Sequence, residues 1–253
     1  MIIVFSGCGN TMAAASCLAG LTGEELLRLG PEQLRADTPE PRLAASGERI
    51  IWAFPTYSWG VPPVMRRFIR RVSIAGADTL PHFMLTTCGD DTGLCASMWR
   101  AEIGRRGWTP VRAFSVQMPN TYVCMRGFDV DPQNVETRKL EAMPQRVAEI
   151  AGMLHTGPDQ MVTGSFAWIK TRIVYPWFIR MDMSPKPFRA LDSCIACGKC
   201  MRVCPMANIT PDAVGRPVWG KECALCLACY HVCPRHAVAY GSATLKKGQY
   251  RLK

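Results

Sequence analysis

The chain has 253 residues, 48% of them hydrophobic, and 30 Lys and Arg against 20 Asp and Glu, a formal charge of +10. That length holds two domains of ordinary size and that composition fills a core, which excludes a disordered or fibrous chain. No apolar stretch is long enough to span a bilayer, and the uncharged first 23 residues are not expected to be a secretory leader, because they lack a basic start and residues 6–11 break the apolar run at once.

The first predicted element is a strand at residues 2–5. It runs into Ser6-Gly7-Cys8-Gly9-Asn10-Thr11 and then into the helix formers Met12-Ala13-Ala14-Ala15. A strand, a glycine turn with hydroxyls and a helix start together make an anion site, since backbone N–H groups and the helix dipole converge on one phosphate. A dinucleotide fingerprint is excluded because Met12 stands where a third small residue is needed. The Walker lysine is absent, and a cysteine phosphatase would want arginine where this chain has Ala14.

Strand-type and helical runs then alternate. Strands are predicted at 25–29, 50–54, 83–87 and 111–117, and helices at 62–72, 93–104 and 132–154. This alternation implies a parallel sheet with helices on both faces. Ligands in such sheets sit at the carboxyl ends of the strands. The loops expected there are Pro55-Thr56-Tyr57-Ser58-Trp59-Gly60 and Cys88-Gly89-Asp90-Asp91-Thr92-Gly93. Residues 161–185 read as an aromatic and basic linker, with Phe166, Trp168, Tyr175, Trp177 and Phe178 beside Lys170, Arg172 and Arg180. Docking onto the first domain is the plain expectation for it. Contact with a membrane surface, without spanning, is the sharper one.

The last third carries one cysteine word twice. Cys194-x2-Cys197-x2-Cys200-x3-Cys204-Pro205 is followed by Cys223-x2-Cys226-x2-Cys229-x3-Cys233-Pro234, offset by 29 residues throughout (223 − 194 = 233 − 204 = 29). This is the two-cluster run in which the fourth cysteine ligates the other cluster. Cys194, Cys197, Cys200 and Cys233 are therefore expected around one [4Fe–4S] cubane, and Cys223, Cys226, Cys229 and Cys204 around the second. Structural zinc prefers separated cysteine or histidine pairs, and disulfide frameworks belong to small secreted chains. The other five cysteines, Cys8, Cys17, Cys88, Cys95 and Cys124, are expected to be small buried hydrophobes. His82, His155, His231 and His236 are expected to be structural or exposed. A reducing cytoplasm is the expected compartment.

The charge excess lies late in the chain. Residues 1–160 hold 16 basic and 16 acidic side chains, and residues 186–253 hold 11 and 3. Each oxidised cluster with four thiolates contributes about −2, leaving the last third near about +4. An acidic docking surface on a redox partner is expected, and nucleic acid is not; the basic tail of Lys246, Lys247, Arg251 and Lys253 is expected to be solvated.

The loop Ser6–Thr11 with the two later loops resembles flavodoxin, which binds FMN. Joined to the two cysteine runs, nearly the whole chain is similar to bacterial flavodoxin–ferredoxin fusion electron carriers. The resemblance implies an α/β flavodoxin-like doubly wound parallel sheet over residues 1–160, and a small α+β two-cluster ferredoxin domain over 186–253. It gives the ribityl phosphate to Ser6, Asn10 and Thr11, with Gly7 and Gly9 allowing close approach. It stacks Trp59 or Tyr57, flanked by Thr56, Ser58 and Gly60, on the isoalloxazine, and brings Cys88, Gly89, Asp90 and Gly93 to the polar edge of the ring. Cys8 replaces the usual threonine, which weakens phosphate binding. Tyr122, after the fifth strand, covers the flavin or is an ordinary loop residue. Asp90, Asp91, Asp129 and Asp131 would disfavour an anionic reduced flavin. The implied function is an electron relay between two clusters and FMN. A flavin-dependent reductase of a small substrate such as a quinone is the second reading, and a cluster-only carrier with a flavin-free docking domain is the third.

Overall fold

The computed structural model describes residues 1–181 and 183–252; Asp182 and Lys253, which fall within the predicted linker and tail, lie outside the described residues. In chain order the first half runs β1 (Ile2–Val4), α1 (Asn10–Thr22), β2 (Leu26–Arg28), α2 (Pro31–Leu34), β3 (Arg42–Ala44), β4 (Ile50–Pro55), α3 (Pro63–Arg71), β5 (Ser73–Ala75), β6 (Pro81–Cys88), α4 (Cys95–Arg105), β7 (Thr109–Gln117) and α5 (Gln133–Met153). Five of these strands form one parallel sheet in the order β2-β1-β4-β6-β7.

Burial on both faces explains why the strands read as unbroken hydrophobic runs. Side chains alternate across the sheet. Ile3, Phe5, Trp52 and Phe54 pack with Met65 and Phe68 of α3 and Trp99 and Ile103 of α4. Ile2, Val4, Ile51 and Ala53 pack on the other face with Ala14 and Leu18 of α1 and Val147 and Ile150 of α5. Renumbered along the sheet, the order is 2-1-3-4-5, and the chain reverses its direction of winding beside β1. That reversal places a crevice at the carboxyl ends of β1 and β4. The short parallel pair β3 and β5, three residues each, was not predicted.

Residues 161–185, expected as a linker docked onto the first domain, are helical over residues 167–181. α6 (Ala167–Ile169), a π-helical turn (Lys170–Val174) and α7 (Tyr175–Met181) form a strap across the first domain. Its inner face is fixed by polar contacts. The Thr171 hydroxyl donates to Trp59 O at 2.8 Å and accepts from Leu94 N at 2.8 Å, and the Tyr175 hydroxyl donates to Val61 O at 2.6 Å.

The last part contains β8 (Phe188–Ala190), α8 (Lys199–Val203), β9 (Ile209–Pro211), β10 (Pro217–Trp219), α9 (Ala228–His231) and β11 (Val238–Tyr240). Each element of the first repeat recurs 29 residues later in the second (217 − 188 = 228 − 199 = 238 − 209 = 29). β8 pairs with β11 and β9 with β10, so each small sheet contains one strand from each repeat.

The two halves share surface. Arg67 pairs with Glu222 at 3.1 Å, and Met206 and Ala224 join the core on the α3 side of the sheet. The basic tail is solvated only in part: Lys246 is exposed as expected, but other tail residues are tied down. Tyr250 is 2% exposed and its hydroxyl donates to Asn10 Oδ1 at 2.7 Å. Arg251 donates to the carbonyls of His231 and Cys233. The tail's aromatic residue found a buried slot between the halves, and Lys247 and Arg251 found carbonyls.

Candidate functional site

The geometry of the cysteines follows from the repeat. Cys194, Cys197, Cys200 and Cys233 line one small cavity. Cys204, Cys223, Cys226 and Cys229 line another. The crossing of the fourth cysteine comes from the strand exchange, which carries each run's end to the opposite cavity. No group of three or more His, Cys, Asp or Glu among the described residues is close enough to hold a single metal ion. Each set of four thiols stands around its own cavity, the arrangement a multi-iron cluster requires.

The backbone is shaped for this. Ala196 and Leu225 hold φ of 49° and 48°, Gly198 and Leu227 hold 70° and 61°, and Ala207 and His236 hold 45° and 50°. Each pair is related by the 29-residue offset. Left-handed conformations at Ala, Leu and His cost about 1–2 kcal/mol each, and they turn amides toward sulfur. Asn208 N donates to Cys204 Sγ at 3.4 Å, Leu225 N to Cys223 Sγ at 3.3 Å and Ala237 N to Cys233 Sγ at 3.2 Å. Burial pushes the Cys223 thiol up to about 11 and holds Cys226 and Cys229 well above their ordinary value. Thiolates in such surroundings need a compensating cation, and an iron–sulfur core supplies it. The donor set fits two cubanes.

The second feature is a cavity of about 350 Å³ at the carboxyl ends of β1, β4, β6 and β7. Of the residues predicted from the loops, Ser6, Gly7, Cys8, Asn10, Thr11, Thr56, Tyr57, Ser58, Trp59, Cys88, Gly89, Asp90 and Tyr122 line it. Gly9, Gly60 and Gly93 do not, because each meets a covering side chain. A Cβ on Gly9 would touch Leu252 of the tail, one on Gly60 would strike Tyr175, and one on Gly93 would strike Thr171 and Trp59. Sequence reasoning missed the opposite wall, formed by Met125, Phe128, Val174, Trp177 and Phe178, and by Leu225, Cys226 and Leu227. These come from distant segments that only the tertiary fold brings together.

The loop after β1 has an electropositive lip. The amides of Gly7, Cys8, Gly9, Asn10 and Thr11 bond to no other described residue, and they stand at the amino end of α1. The side chains are more committed. Asn10 Nδ2 donates to Pro119 O at 2.9 Å while its Oδ1 accepts from Tyr250. The Thr11 and Thr87 hydroxyls pair at 2.7 Å, and Ser6 Oγ accepts from Met12 N. Cys8, expected only to weaken phosphate binding, donates to Cys226 O at 3.1 Å, and burial pushes its thiol up to about 12. Tyr57 packs edge-on to Phe5 against the core while still lining the cavity, and Trp59 lines it beside Tyr57. Trp59 sits at φ 63° with Lys170 Nζ 5.2 Å from its ring centroid.

The expected acidic field around the cavity is largely countered. Asp91 pairs with Lys170 at 2.6 Å, Asp131 with Lys139 at 2.7 Å, and Asp129 lies 4.0 Å from Lys247. Asp90 is exposed, with Lys139 3.9 Å away. Sequence spacing placed the acids but not the lysines that reach them from the strap, α5 and the tail.

Comparison with known proteins agrees with the cysteine geometry. Residues 193–238 match the family model described as a 4Fe-4S dicluster domain. That match gives this part of the chain an iron–sulfur electron-transfer role. No curated protein matches the chain. Among solved structures, a chain titled "The Structure of Trp Repressor Binding Protein from Bacillus subtilis" is similar at 13% identity with a TM-score of 0.36, over 58% of this chain and 97% of that one.

Proposed function

We propose that the chain is an intramolecular electron relay in which two [4Fe–4S] clusters are coupled to a flavin, FMN, held in the 350 Å³ cavity. One observation carries the reading. Cys226 and its neighbour Leu227 line both this cavity and the cysteine cavity of Cys204, Cys223 and Cys229, so one dipeptide that includes a cluster ligand forms the wall between the two sites. The sheet order 2-1-3-4-5 supports it, since flavodoxin-like sheets of that order hold FMN at the switch point. When bound, a flavin supplies exchange of one or two electrons, against one for each cluster.

The protein's part is to hold and to insulate. The unpaired amides of residues 7–11 suit a phosphate. Trp59 offers a flat face, kept in place by the Thr171 bond to its carbonyl. Leu225 and Leu227 keep water out of the wall beside Cys226. Cys194, Cys197, Cys200 and Cys233 hold the cluster farther from the cavity, and Cys197 is exposed, so that cluster is the port for an external, acidic-surfaced partner.

A reductase acting on a flat apolar substrate is the second reading, favoured by the outer wall of Met125, Phe128 and Trp177. Anaerobic purification with iron, sulfide and FMN quantification tests the relay. About eight irons and one FMN per chain are expected. Eight irons with no flavin, even after FMN is added, would remove the relay and the reductase together and leave a cluster carrier with a docking domain.

A further inference from the structure

The strap is held to the first domain on its inner side, and its outer side carries uncovered apolar residues. Thr171, Tyr175 and Phe178 are buried against the first domain and the cavity. Facing outward are Phe166 at 77% exposure, Trp168 at 61%, Ile173 at 56% and Trp177 at 51%. Six of the twelve large hydrophobic side chains left exposed among the described residues lie within residues 162–177, and a seventh, Phe128, lines the same cavity as Trp177. Exposed apolar patches of this kind mark contact surfaces.

The chemistry of the patch selects its occupant. Residues 162–181 contain no Asp or Glu. Arg172 and Arg180 are exposed and make no ion pair with a described residue, whereas Lys170 is already held by Asp91. The helical backbone satisfies its own hydrogen bonds, and the outward side chains offer indole and guanidinium donors but no acceptor. A protein partner would ordinarily exchange about one hydrogen bond per 100–200 Å² with such a surface. Aromatic and β-branched side chains flanked by unpaired arginines match the boundary of an anionic bilayer, where the rings enter the acyl edge and the guanidiniums meet lipid phosphates. Every helix of the described chain is too short or too polar to cross a membrane, so the contact lies in the interface plane.

We infer that the strap docks the protein onto anionic lipid bilayers, with the mouth of the 350 Å³ cavity turned toward the membrane because Trp177 belongs to both surfaces. This holds whether or not the cavity takes a flavin. The test is flotation of the full-length, cluster-loaded protein under anaerobic conditions with vesicles of phosphatidylcholine containing roughly 30% phosphatidylglycerol, against phosphatidylcholine alone. Binding to the anionic vesicles is expected, weakening as salt is raised. The double substitution Trp168→Glu with Ile173→Glu lowers the partition coefficient at least about tenfold with iron content unchanged. Arg172→Gln with Arg180→Gln removes the salt-sensitive part. Quenching of wild-type tryptophan fluorescence by brominated lipid reads the same contact without any variant. Absence of flotation and quenching overturns the inference. So does flotation indifferent to the acidic pair, or a solution dimer that Ile173→Glu dissociates in a protein that ignores vesicles.

Discussion

Gly7→Ala is the most exacting perturbation of the contact between the halves. Gly7 has no left-handed φ, so alanine carries no backbone penalty there and the effect is steric alone. The added Cβ would stand 2.5 Å from Cys226 Cβ, 3.2 Å from Cys226 O and 3.3 Å from Cys226 Sγ. Ordinary contact begins near about 3.4 Å, so one side must retreat by roughly an ångström, and neither is a flexible side-chain end. Overpacking of this kind costs about 1–3 kcal/mol, and the upper half of that range is expected because both partners are backbone-anchored. At about 1.4 kcal/mol per tenfold, the wall at Cys226 opens about 30- to 150-fold more often. A protein with clusters does not unfold in two states, so the assay is anaerobic iron release to a chelator in moderate urea. Release should become biphasic, with about half of the iron leaving early. Gly152→Ala is the control, since a Cβ there meets nothing within 4 Å, and it should stabilise slightly. Wild-type release kinetics from the Gly7→Ala protein would refute the close contact and, with it, the shared wall.

Other perturbations read separate parts of the fold. Cys204→Ser should remove the same cluster as Cys226→Ser, and Cys233→Ser the other, each leaving about four irons with a distinct paramagnetic signature on reduction; two variants of one cavity with different signatures would refute the crossed ligand sets. Trp59→Ala should weaken FMN binding about tenfold in a fluorescence titration, the worth of one aromatic stack. Tyr250→Phe removes the bond to Asn10 and should cost about 1 kcal/mol, seen as a lower thermal midpoint and faster amide exchange at residues 7–11. Glu102 is buried between Arg66, Arg70 and Arg105. Burial raises its carboxyl, but hydrogen bonds and charge from Arg70 and Arg66 prevail and hold it at about 2. Its stabilisation is therefore complete above the ordinary carboxylate range and is lost as pH falls from about 4.5 toward 2. Glu102→Gln should destabilise at neutral pH by about 1–3 kcal/mol, discounted because the guanidiniums reach solvent, and should flatten acid denaturation measured between those pH values.

What could be read from the sequence was local. The cysteine spacing specifies its ligand sets because three ligands lie within seven residues and the fourth is fixed by the repeat. β1 and the loop after it were legible because strand, glycine turn and helix start adjoin. β3 and β5 were not, since three-residue strands with exposed ends carry too little periodicity. The strap read as linker because its aromatic and basic residues show no clean apolar stripe and Pro176 lacks the N–H a regular helix needs. The helix continues past it through the wider π turn at Lys170–Val174 that precedes the proline. Tyr250 gave no local signal at all, since its burial depends on Asn10, 240 residues away.

The coupling of the halves turns on residues that look like defects when each half is read alone. Cys8 donates to Cys226 O and so places a sulfur against the ligand loop, which a threonine hydroxyl would not do. Leu225 and Leu227 are poor choices for left-handed backbone, where glycine would cost less, as Gly198 shows at the equivalent point of the first repeat. Glycine at 227 would leave the wall beside Cys226 without its apolar filling, and the cavity would then open to water through the cluster loop. The first repeat has Gly198 where the second has Leu227, while Ala196 bears the same left-handed backbone as Leu225 with a smaller side chain. The asymmetry between otherwise matched repeats thus follows from which cysteine cavity faces the first domain. On this argument, Leu227→Gly should relax the backbone and leave that cluster assembled, while raising its accessibility to small hydrophilic oxidants relative to its twin.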